Sequence, residues 1–172
     1  MKETKTILYT IPNFDTAGGG KALLNIAKGL NKDIFKPVIC CNHSRGVFFN
    51  HVESSGFPIY IRNTTLAMVP RIKGFLNCLA LAKYFSKLKV DLIHSFHYGP
   101  DYSEAIAARL AGIPWIYTKK NMNWGGKSNN GWRIRTLLSK HILAQNKDMI
   151  VKFFPNKSNV SLVPRGVETS VF

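Results

Sequence analysis

The sequence predicts an α/β fold, a Rossmann-like three-layer α/β/α domain with a mainly parallel sheet of about seven strands. Three observations predict it. Short β-branched runs alternate with longer helical patterns, as in βαβ units. A chain of 172 residues has the size of one ordinary domain. Apolar residue types form 45% of it and charged types 19%, which supplies a core and excludes a mainly disordered chain.

The elements follow in order along the chain. Apolar and β-branched runs predict strands at 6–11, 36–41, 58–61, 90–96, 115–118, 142–145 and 160–163. Longer helical patterns between them predict helices at 19–30, 47–55, 70–88, 102–111, 131–141 and 147–154. Asp101 and Ser103 are suited to cap the fourth helix, and Gly112 followed by Pro114 ends it. Residues 119–130, rich in Gly and Asn, form a long loop of the kind that is usually functional or mobile.

Several classes of protein are excluded by composition. No run approaches the ~18 apolar residues of a spanning helix, and the N-terminus lacks the apolar region of a signal peptide, so a cytoplasmic protein is expected. Three cysteines, Cys40, Cys41 and Cys78, cannot build a disulfide framework. Their spacing does not suggest a zinc site, and we expect no metal and no cofactor.

The formal charge of +15 predicts an anionic partner, which could be nucleic acid, a phosphorylated ligand or an acidic membrane. Residues 119–157 hold nine bases and one acid. Residues 71–89 add five bases and no acid. On a helical wheel this second segment carries two apolar stripes, which predicts a helix buried on two sides or lying with one side on lipid. The stripes are Ile72, Phe75, Leu76, Leu79 and Leu81, Tyr84, Phe85, Leu88.

The glycine run Gly18, Gly19 and Gly20 follows the first strand and opens the first helix, where free backbone amides attract phosphate. Asp15 and Ala22 break the Walker A pattern, and Leu23 breaks the dinucleotide pattern. An ATPase or an ordinary NAD enzyme is therefore not supported. The run either contacts a phosphate or only makes a tight turn.

Two histidines, His94 and His97, lie at the carboxyl end of the fourth strand. Ligands bind just beyond such strand ends in open α/β sheets. Histidine there serves either as an acid, base or hydrogen-bond donor to a substrate, or as a structural hydrogen bonder.

Together these segments resemble the N-terminal half of a GT-B glycosyltransferase of the large retaining family 4. The resemblance covers nearly the whole chain, and it is carried by the glycine turn with residues 23–30 and by residues 90–95, 107–114 and 163–172. It implies that Gly18, Gly19 and Gly20 approach the donor diphosphate through backbone amides. It also implies that His97, with His94 as the alternative, reaches the transferred sugar. Phe96 stands where the family commonly has a second histidine, and Lys120 where it has the histidine of a Tyr-Thr-x-His loop.

The same resemblance implies the organisation and the activity. Residues 1–163 would be the acceptor-side domain and 164–172 the start of an interdomain linker, with the C-terminal donor-binding domain absent. Such an enzyme transfers a sugar, typically a hexose, from a nucleotide diphosphate to a glycan or lipid-linked acceptor. No metal is needed, since the family's leaving group is stabilised by cations of the missing half. The fragment is expected to be inactive alone.

Residues 119–140, with Met122, Trp124 and Trp132, form the predicted surface for acceptor or membrane. Its candidate contact residues are Lys119, Lys120, Asn121, Trp124 and Arg133, and it would give a peripheral position on the inner membrane face. The other interpretation is a solvated face, or one that meets the missing domain.

Two rival functions remain open. One is a basic nucleic-acid-binding module, although no recognition-helix, RRM, KH or zinc-finger signature is present and no nucleic acid is expected. The other is a non-catalytic Rossmann domain that binds a sugar or nucleotide.

Overall fold

Strands and helices alternate along the chain in the structure, a computed structural model that describes residues 3–123 and 128–164. The strands are β1 (Lys5–Ile11), β2 (Phe35–Cys41), β3 (Ile59–Ile61), β4 (Leu92–Ser95), β5 (Trp115–Lys119), β6 (His141–Ala144) and β7 (Val160–Leu162). The helices are α1 (Ala17–Gly29), α2 (Phe49–Glu53), α3 (Arg71–Leu88), α4 (Ser103–Leu110), α5 (Asn129–Leu138) and α6 (Lys147–Phe153).

All seven strands of the described residues form one parallel sheet in the order β3-β2-β1-β4-β5-β6-β7. The predicted Rossmann-like fold is confirmed. Strand order reverses between β1 and β4, which pair with Tyr9 opposite His94 and Thr10 opposite Ser95. Ligands bind at such a reversal because the connections leave the two strands in opposite directions and open a crevice.

The helices cover both faces of the sheet. Alternation along β1 sends Ile7, Tyr9 and Ile11 to one face, where α1 and α2 pack, and Leu8 to the other, where α3 to α6 pack. Each fully buried Leu or Phe side chain stabilises the fold by about 1.5–3 kcal/mol. The core is therefore two apolar layers, with the carboxyl ends of the strands exposed along one edge between them.

Some boundaries differ from the predicted ones. Helix α1 begins at Ala17, two residues before the predicted start at Gly19, so Gly18 also lies within its first turn. Helix α5 begins early because the Ser128 hydroxyl accepts a hydrogen bond from the Gly131 amide at 3.0 Å. It ends at Leu138, and His141, predicted as helical, belongs to β6. The predicted linker begins at Pro164, and the rest of it lies outside the described residues.

The predicted end of α4 is confirmed. Gly112 has φ +70°, and its amide donates to the Arg109 carbonyl while the Ile113 amide donates to the Ala108 carbonyl. These two bonds are those of a Schellman motif, in which glycine takes the left-handed position without strain. At the other end Asp101 accepts from the Ser103 amide and hydroxyl.

Helix α3 packs on one side only. Its second stripe enters the core, with Leu81 and Phe85 fully buried. The first stripe stays at the surface, where Ile72 is 80% and Leu76 57% exposed. Of the two predicted arrangements, burial on two sides is wrong within the described residues. No helix of the described chain is long and apolar enough to cross a membrane.

The segment between β3 and α3 lies directly on Gly74. A Cβ built there would lie 2.7 Å from Met68 Cα and 3.0 Å from the Met68 carbonyl oxygen. The close approach holds this connection against the sheet's carboxyl edge, where the Leu66 amide donates to the Ser103 hydroxyl at 2.7 Å.

We expect Gly74→Ala to destabilise the domain by about 1–3 kcal/mol, because the added methyl overlaps backbone that cannot rotate away. Urea unfolding followed by circular dichroism measures the change. Gly29→Ala is the matched control, since Gly29 ends α1 with open space around its Cα and a helical alanine is favoured by about 0.5–1 kcal/mol. Equal stability of the two variants would contradict this packing.

Candidate active site

Most of the predicted site residues, from residues 18–20, His94 and His97 to residues 119–121, lie at the carboxyl edge of the sheet, around the ends of β1, β4 and β5. Parallel pairing aligns these strand ends, and α1 begins beside them. A helix N-terminus carries partial positive charge from its aligned peptide dipoles. The first turn of α1 contains no acidic side chain, and its N-cap residue Thr16 makes no side-chain capping bond. This edge therefore favours an anion.

The three glycines differ in surroundings. Beside the Cα of Gly18 there is open space. A Cβ at Gly19 would lie 3.0 Å from the Tyr98 hydroxyl and 3.5 Å from Lys120 Nζ. A Cβ at Gly20 would lie 2.6 Å from the Phe14 ring, so glycine is needed there for packing. Gly19 and Gly20 line a cleft, and the space beside Gly18 is open.

Lys120 connects the loop after β4 with α1. Its Nζ donates to the Phe96 carbonyl at 2.6 Å and lies 3.8 Å from the centroid of the Tyr98 ring. Tyr98 separates two small clefts, of about 80 and 40 Å³. The first is lined by Ile11, Pro12, Asn13, Thr16, Gly19 and Gly20, and the second by His97, Gly99, Thr118, Lys119, Lys120, Asn121, Asn123 and Trp132. Ligand sites commonly need about 300–1,000 Å³, so these clefts hold part of a ligand at most.

His97 lines the smaller cleft and is held from behind by a buried carboxylate. Its Nε2 lies 3.2 Å from Glu104 Oε2 and 2.9 Å from the Thr64 hydroxyl. Thr64 in turn donates to Glu104 at 2.5 Å. The other carboxylate oxygen accepts from Thr10 at 2.9 Å and from the Trp115 indole at 2.8 Å. Both oxygens of Glu104 are thus satisfied.

Glu104 is ionised in the folded protein. Burial opposes ionisation, but attraction to His97 and hydrogen bonds from His97, Thr64 and Trp115 outweigh it and hold the pKa of Glu104 at about 2. The side chain is 1% exposed. Since a buried charge is tolerated only when it is paired, the pair fixes the His97 ring in one orientation.

His94 lies in the other core layer, where its ring contacts Tyr9 and Phe96. Its Nε2 and the Thr118 hydroxyl are 2.7 Å apart. Burial, and then the charge of Lys120, lower the pKa of His94 to about 3. The ring is thus neutral near pH 7 and does not line the two clefts, so His97 is the one of the two histidines that lines a cleft.

Arg135 supports the loop after β4 from inside the protein. One guanidinium nitrogen donates to the Asp101 carbonyl at 2.9 Å. The other donates to the Ser95 hydroxyl at 3.2 Å and the His97 carbonyl at 3.3 Å. The side chain is 1% exposed, and its guanidinium lies 4.9 Å from the Trp115 ring centroid. It therefore fixes the backbone that carries His97.

The predicted acceptor or membrane surface is only partly at the surface. Strand β5 continues to Lys119, and alternation turns that side chain inward, where its Nζ donates to the carbonyls of Asn121 and Asn123. Burial, and then the charge of Lys152, lower the pKa of Lys119 to about 8. The expectation of a surface residue is corrected for Lys119, which is 3% exposed.

The other residues of that predicted surface lie in different environments. Asn121 and Arg133 are exposed and Lys120 is half-buried. Trp132, an aromatic residue of the same predicted surface, is buried in the core. Trp124 lies outside the described residues. Arg133 lines a different cavity, a groove of about 660 Å³ between α5 and α6.

No group of three or more His, Cys, Asp or Glu side chains in residues 3–123 and 128–164 is placed to hold a metal ion. Glu104, the acidic partner of His97, has both carboxylate oxygens engaged inside the protein.

Sequence reasoning missed the three residues that position His97. The sequence patterns assign no site role to Glu104, Arg135 or Thr64. A signal for Glu104 existed, because it is the one acid in a helix whose other positions are mostly apolar. Its partners lie far away in the sequence and could not be found from it.

The model of Glycosyltransferase Family 4 matches residues 16–171. The chain belongs to this family. No curated protein sequence matches the family 4 chain.

Solved structures share the fold of the family 4 chain. MurG of Acinetobacter baumannii is 18% identical with a TM-score of 0.68, over 95% of this chain and 47% of that one. A glycosyltransferase of Rickettsia africae is 17% identical with a TM-score of 0.70, over 97% and 44%. Anabaena HepE, solved with UDP and glucose, is 16% identical with a TM-score of 0.70, over 94% and 45%. This chain thus spans less than half the length of these structures and matches one half of a GT-B fold.

Replacement of Glu104 by glutamine is expected to cost about 3 kcal/mol of unfolding free energy, because one amide cannot accept all four hydrogen bonds and leaves His97 without its partner. Chemical denaturation measures it. Glu53→Gln is the control, since Glu53 is exposed at the end of α2, and it should change stability by less than about 0.5 kcal/mol. A loss of unfolding free energy in Glu104→Gln as small as that in Glu53→Gln would show that the Glu104–His97 pair does not stabilise the fold.

Stability should also fall in acid. Because the pKa of Glu104 is lowered from 4.5 to about 2, its contribution is complete above 4.5 and is lost as the pH falls through 2. Between about pH 5 and pH 2 the wild type should lose about 3 kcal/mol more than Glu104→Gln. If the unfolding free energies of the wild type and Glu104→Gln changed equally with pH, the Glu104 carboxylate would not be held ionised by its partners.

Proposed function

We propose that this family 4 chain forms the acceptor side of a retaining glycosyltransferase, which moves a sugar from a nucleotide diphosphate to a glycan or lipid-linked acceptor. One observation carries the proposal. The first turn of α1, Lys120 and His97 lie around two adjoining clefts at the strand reversal of the sheet. Phosphate-binding and sugar-binding groups are thereby placed within reach of one ligand.

The donor diphosphate would lie against the first turn of α1. The positive end of the helix dipole favours negative charge there. Lys120 adds a cation beside Gly19, and its hydrogen bond to the Phe96 carbonyl keeps it there. Gly19, which lines the cleft, and Gly18, which has open space beside it, would let the phosphates approach the backbone, and Gly20 lines the same cleft while it packs against Phe14. The UDP held by HepE is a ligand of this class.

His97 would contact the transferred sugar. Since Nε2 faces Glu104 and Thr64, Nδ1 is the ring nitrogen that remains for a sugar hydroxyl. Glu104 and Arg135 act as positioning residues, one through the ring and the other through the His97 carbonyl. A fixed ring reduces the entropy lost when the sugar is bound.

The acceptor would approach along Lys120 and Asn121, with Arg133 further out. No metal is required in this scheme, because cations stabilise the departing diphosphate. The small volume of both clefts supports a site that a second domain completes, in line with a chain shorter than half of the similar structures. We infer that the 172-residue chain alone is inactive.

Inorganic pyrophosphate tests the donor side. Its titration into the 15N-labelled chain should shift the amide resonances of the first turn of α1. Lys120→Gln should raise the dissociation constant about tenfold, the loss of one charge-assisted hydrogen bond. Lys28→Gln, at the exposed far end of the same helix, is the control and should leave it unchanged. Shifts elsewhere, or equal effects of both variants, would overturn the proposed diphosphate site.

Release of UDP from UDP-glucose tests whether the 172-residue chain is active without a second domain. The chain alone should release none above the rate in buffer. Turnover by the 172 residues would show that no second domain is needed and would overturn the inference of inactivity.

A further inference from the structure

We infer that the groove between α5 and α6 binds an aromatic anion, a planar ring system that carries a phosphate or a carboxylate. The groove, here called the α5–α6 groove, has a volume of about 660 Å³. Sites for small organic ligands commonly have about 300–1,000 Å³. The groove is therefore large enough to hold one such ligand, unlike the two clefts at the carboxyl edge of the sheet.

Helix α5 supplies one wall of the groove from a single face. Trp132 and Thr136 are four residues apart, and so are Arg133 and Leu137. Side chains at this spacing are neighbours on a helix surface, so the four lie along one side of α5. Leu137 is 77% exposed and gives a ligand apolar surface to cover.

Two aromatic rings form the inner part of the groove. Trp132 comes from α5 and Phe153 from the end of α6. Trp132 is buried and Phe153 half-buried, so their positions are fixed by the core. Aromatic rings pack favourably against another ring in offset or edge-to-face arrangements. A planar ring in the ligand therefore suits this lining better than an open polar chain.

Positive charge surrounds these rings. Arg133 and Lys157 line the groove. Lys119 Nζ lies 4.4 Å and Lys152 Nζ 5.5 Å from the centroid of the Phe153 ring. Among the described residues, none that lines the groove is acidic, and neither Arg133 nor Lys157 forms an ion pair. An anionic ligand would supply the negative charge that balances these cations.

The guanidinium of Arg133 selects the kind of anion. Its planar set of donors matches two oxygens of a phosphate or of a carboxylate at once. A second copy of the chain fits the groove less well, because a formal charge of +15 on each copy opposes their contact.

The α5–α6 groove adjoins the cleft of His97, because Trp132 lines both cavities. A ligand in the groove would lie beside that cleft. An acceptor that carries an aromatic anion would thus be held next to His97. This consequence rests on the proposed function, whereas binding in the groove does not.

Titration with naphthyl phosphate tests the inference. In the 15N-labelled chain it should shift the Trp132 indole resonance and the amides of residues 129–137 and 153–157. Its dissociation constant should be at least about tenfold lower than that of naphthol, which lacks the anion, or of inorganic phosphate, which lacks the ring. Naphthoate should compete for the same site, and the tighter of the two anions identifies the preferred acid group.

Two variants separate the contributions of charge and apolar surface. Arg133→Gln with Lys157→Gln should raise the dissociation constant of naphthyl phosphate about tenfold or more, because charge-assisted hydrogen bonds are lost. It should leave the binding of naphthol unchanged. Leu137→Ser should weaken the binding of both compounds about threefold or more, because apolar contact is lost.

The matched controls replace the same residue types at exposed positions of other helices. They are Arg109→Gln with Lys28→Gln, and Leu110→Ser. Both should bind naphthyl phosphate as the wild type does. Circular dichroism and thermal unfolding verify that every variant is folded.

Three results would overturn the inference. They are shifts confined to other parts of the chain, equal affinity for naphthol and naphthyl phosphate, and an equal loss in the control variants. A dimer in sedimentation equilibrium that Leu137→Ser dissociates would assign the groove to a second copy of the chain and would also overturn it.

The pyrophosphate titration separates this inference from the proposed function. Leu137 lines the groove and neither of the two clefts, so Leu137→Ser should leave pyrophosphate binding unchanged. A chain that binds pyrophosphate at α1 but not naphthyl phosphate would overturn the groove site alone. The reverse result would overturn the diphosphate site alone.

Discussion

The buried carboxylate of Glu104 is the interaction on which the edge of this domain depends. It accepts hydrogen bonds from β1 through Thr10, from β5 through Trp115 and from the connection into α3 through Thr64, and it pairs with His97. These partners come from four separate parts of the chain. Because an unpaired carboxylate in the core would cost several kcal/mol, the four segments are held together at one point.

Charge inside the domain is arranged to present His97, not only to stabilise the fold. Glu104 fixes the ring while Arg135, from α5, holds the backbone that carries it. Both groups are almost fully buried, so neither is screened by solvent or salt. His94 shows the contrast. With a hydroxyl partner and aromatic neighbours it is a neutral structural side chain, although it lies only three residues away.

The basic residues of the chain lie in two groups that differ in exposure. The bases of residues 119–157 do not form one basic face, since Lys119 and Arg135 point inward while Arg133 lines a groove between helices. The bases of α3 all remain exposed around an apolar ridge. The positive charge thus divides between the carboxyl edge of the sheet and the exposed side of α3.

The sequence by itself determined the fold class, because alternation of apolar periods is a local property that needs no tertiary information. It also determined the end of α4 at Gly112 and the position of the two histidines at the carboxyl end of β4, both of which depend on neighbouring residues. Only the tertiary structure decided which histidine faces the cleft, since His94 and His97 differ in partners that lie far along the chain. It likewise decided that Lys119 and Trp132 are buried and that one stripe of α3 is exposed. Burial depends on which element packs against a side chain, and a single sequence pattern does not contain that information.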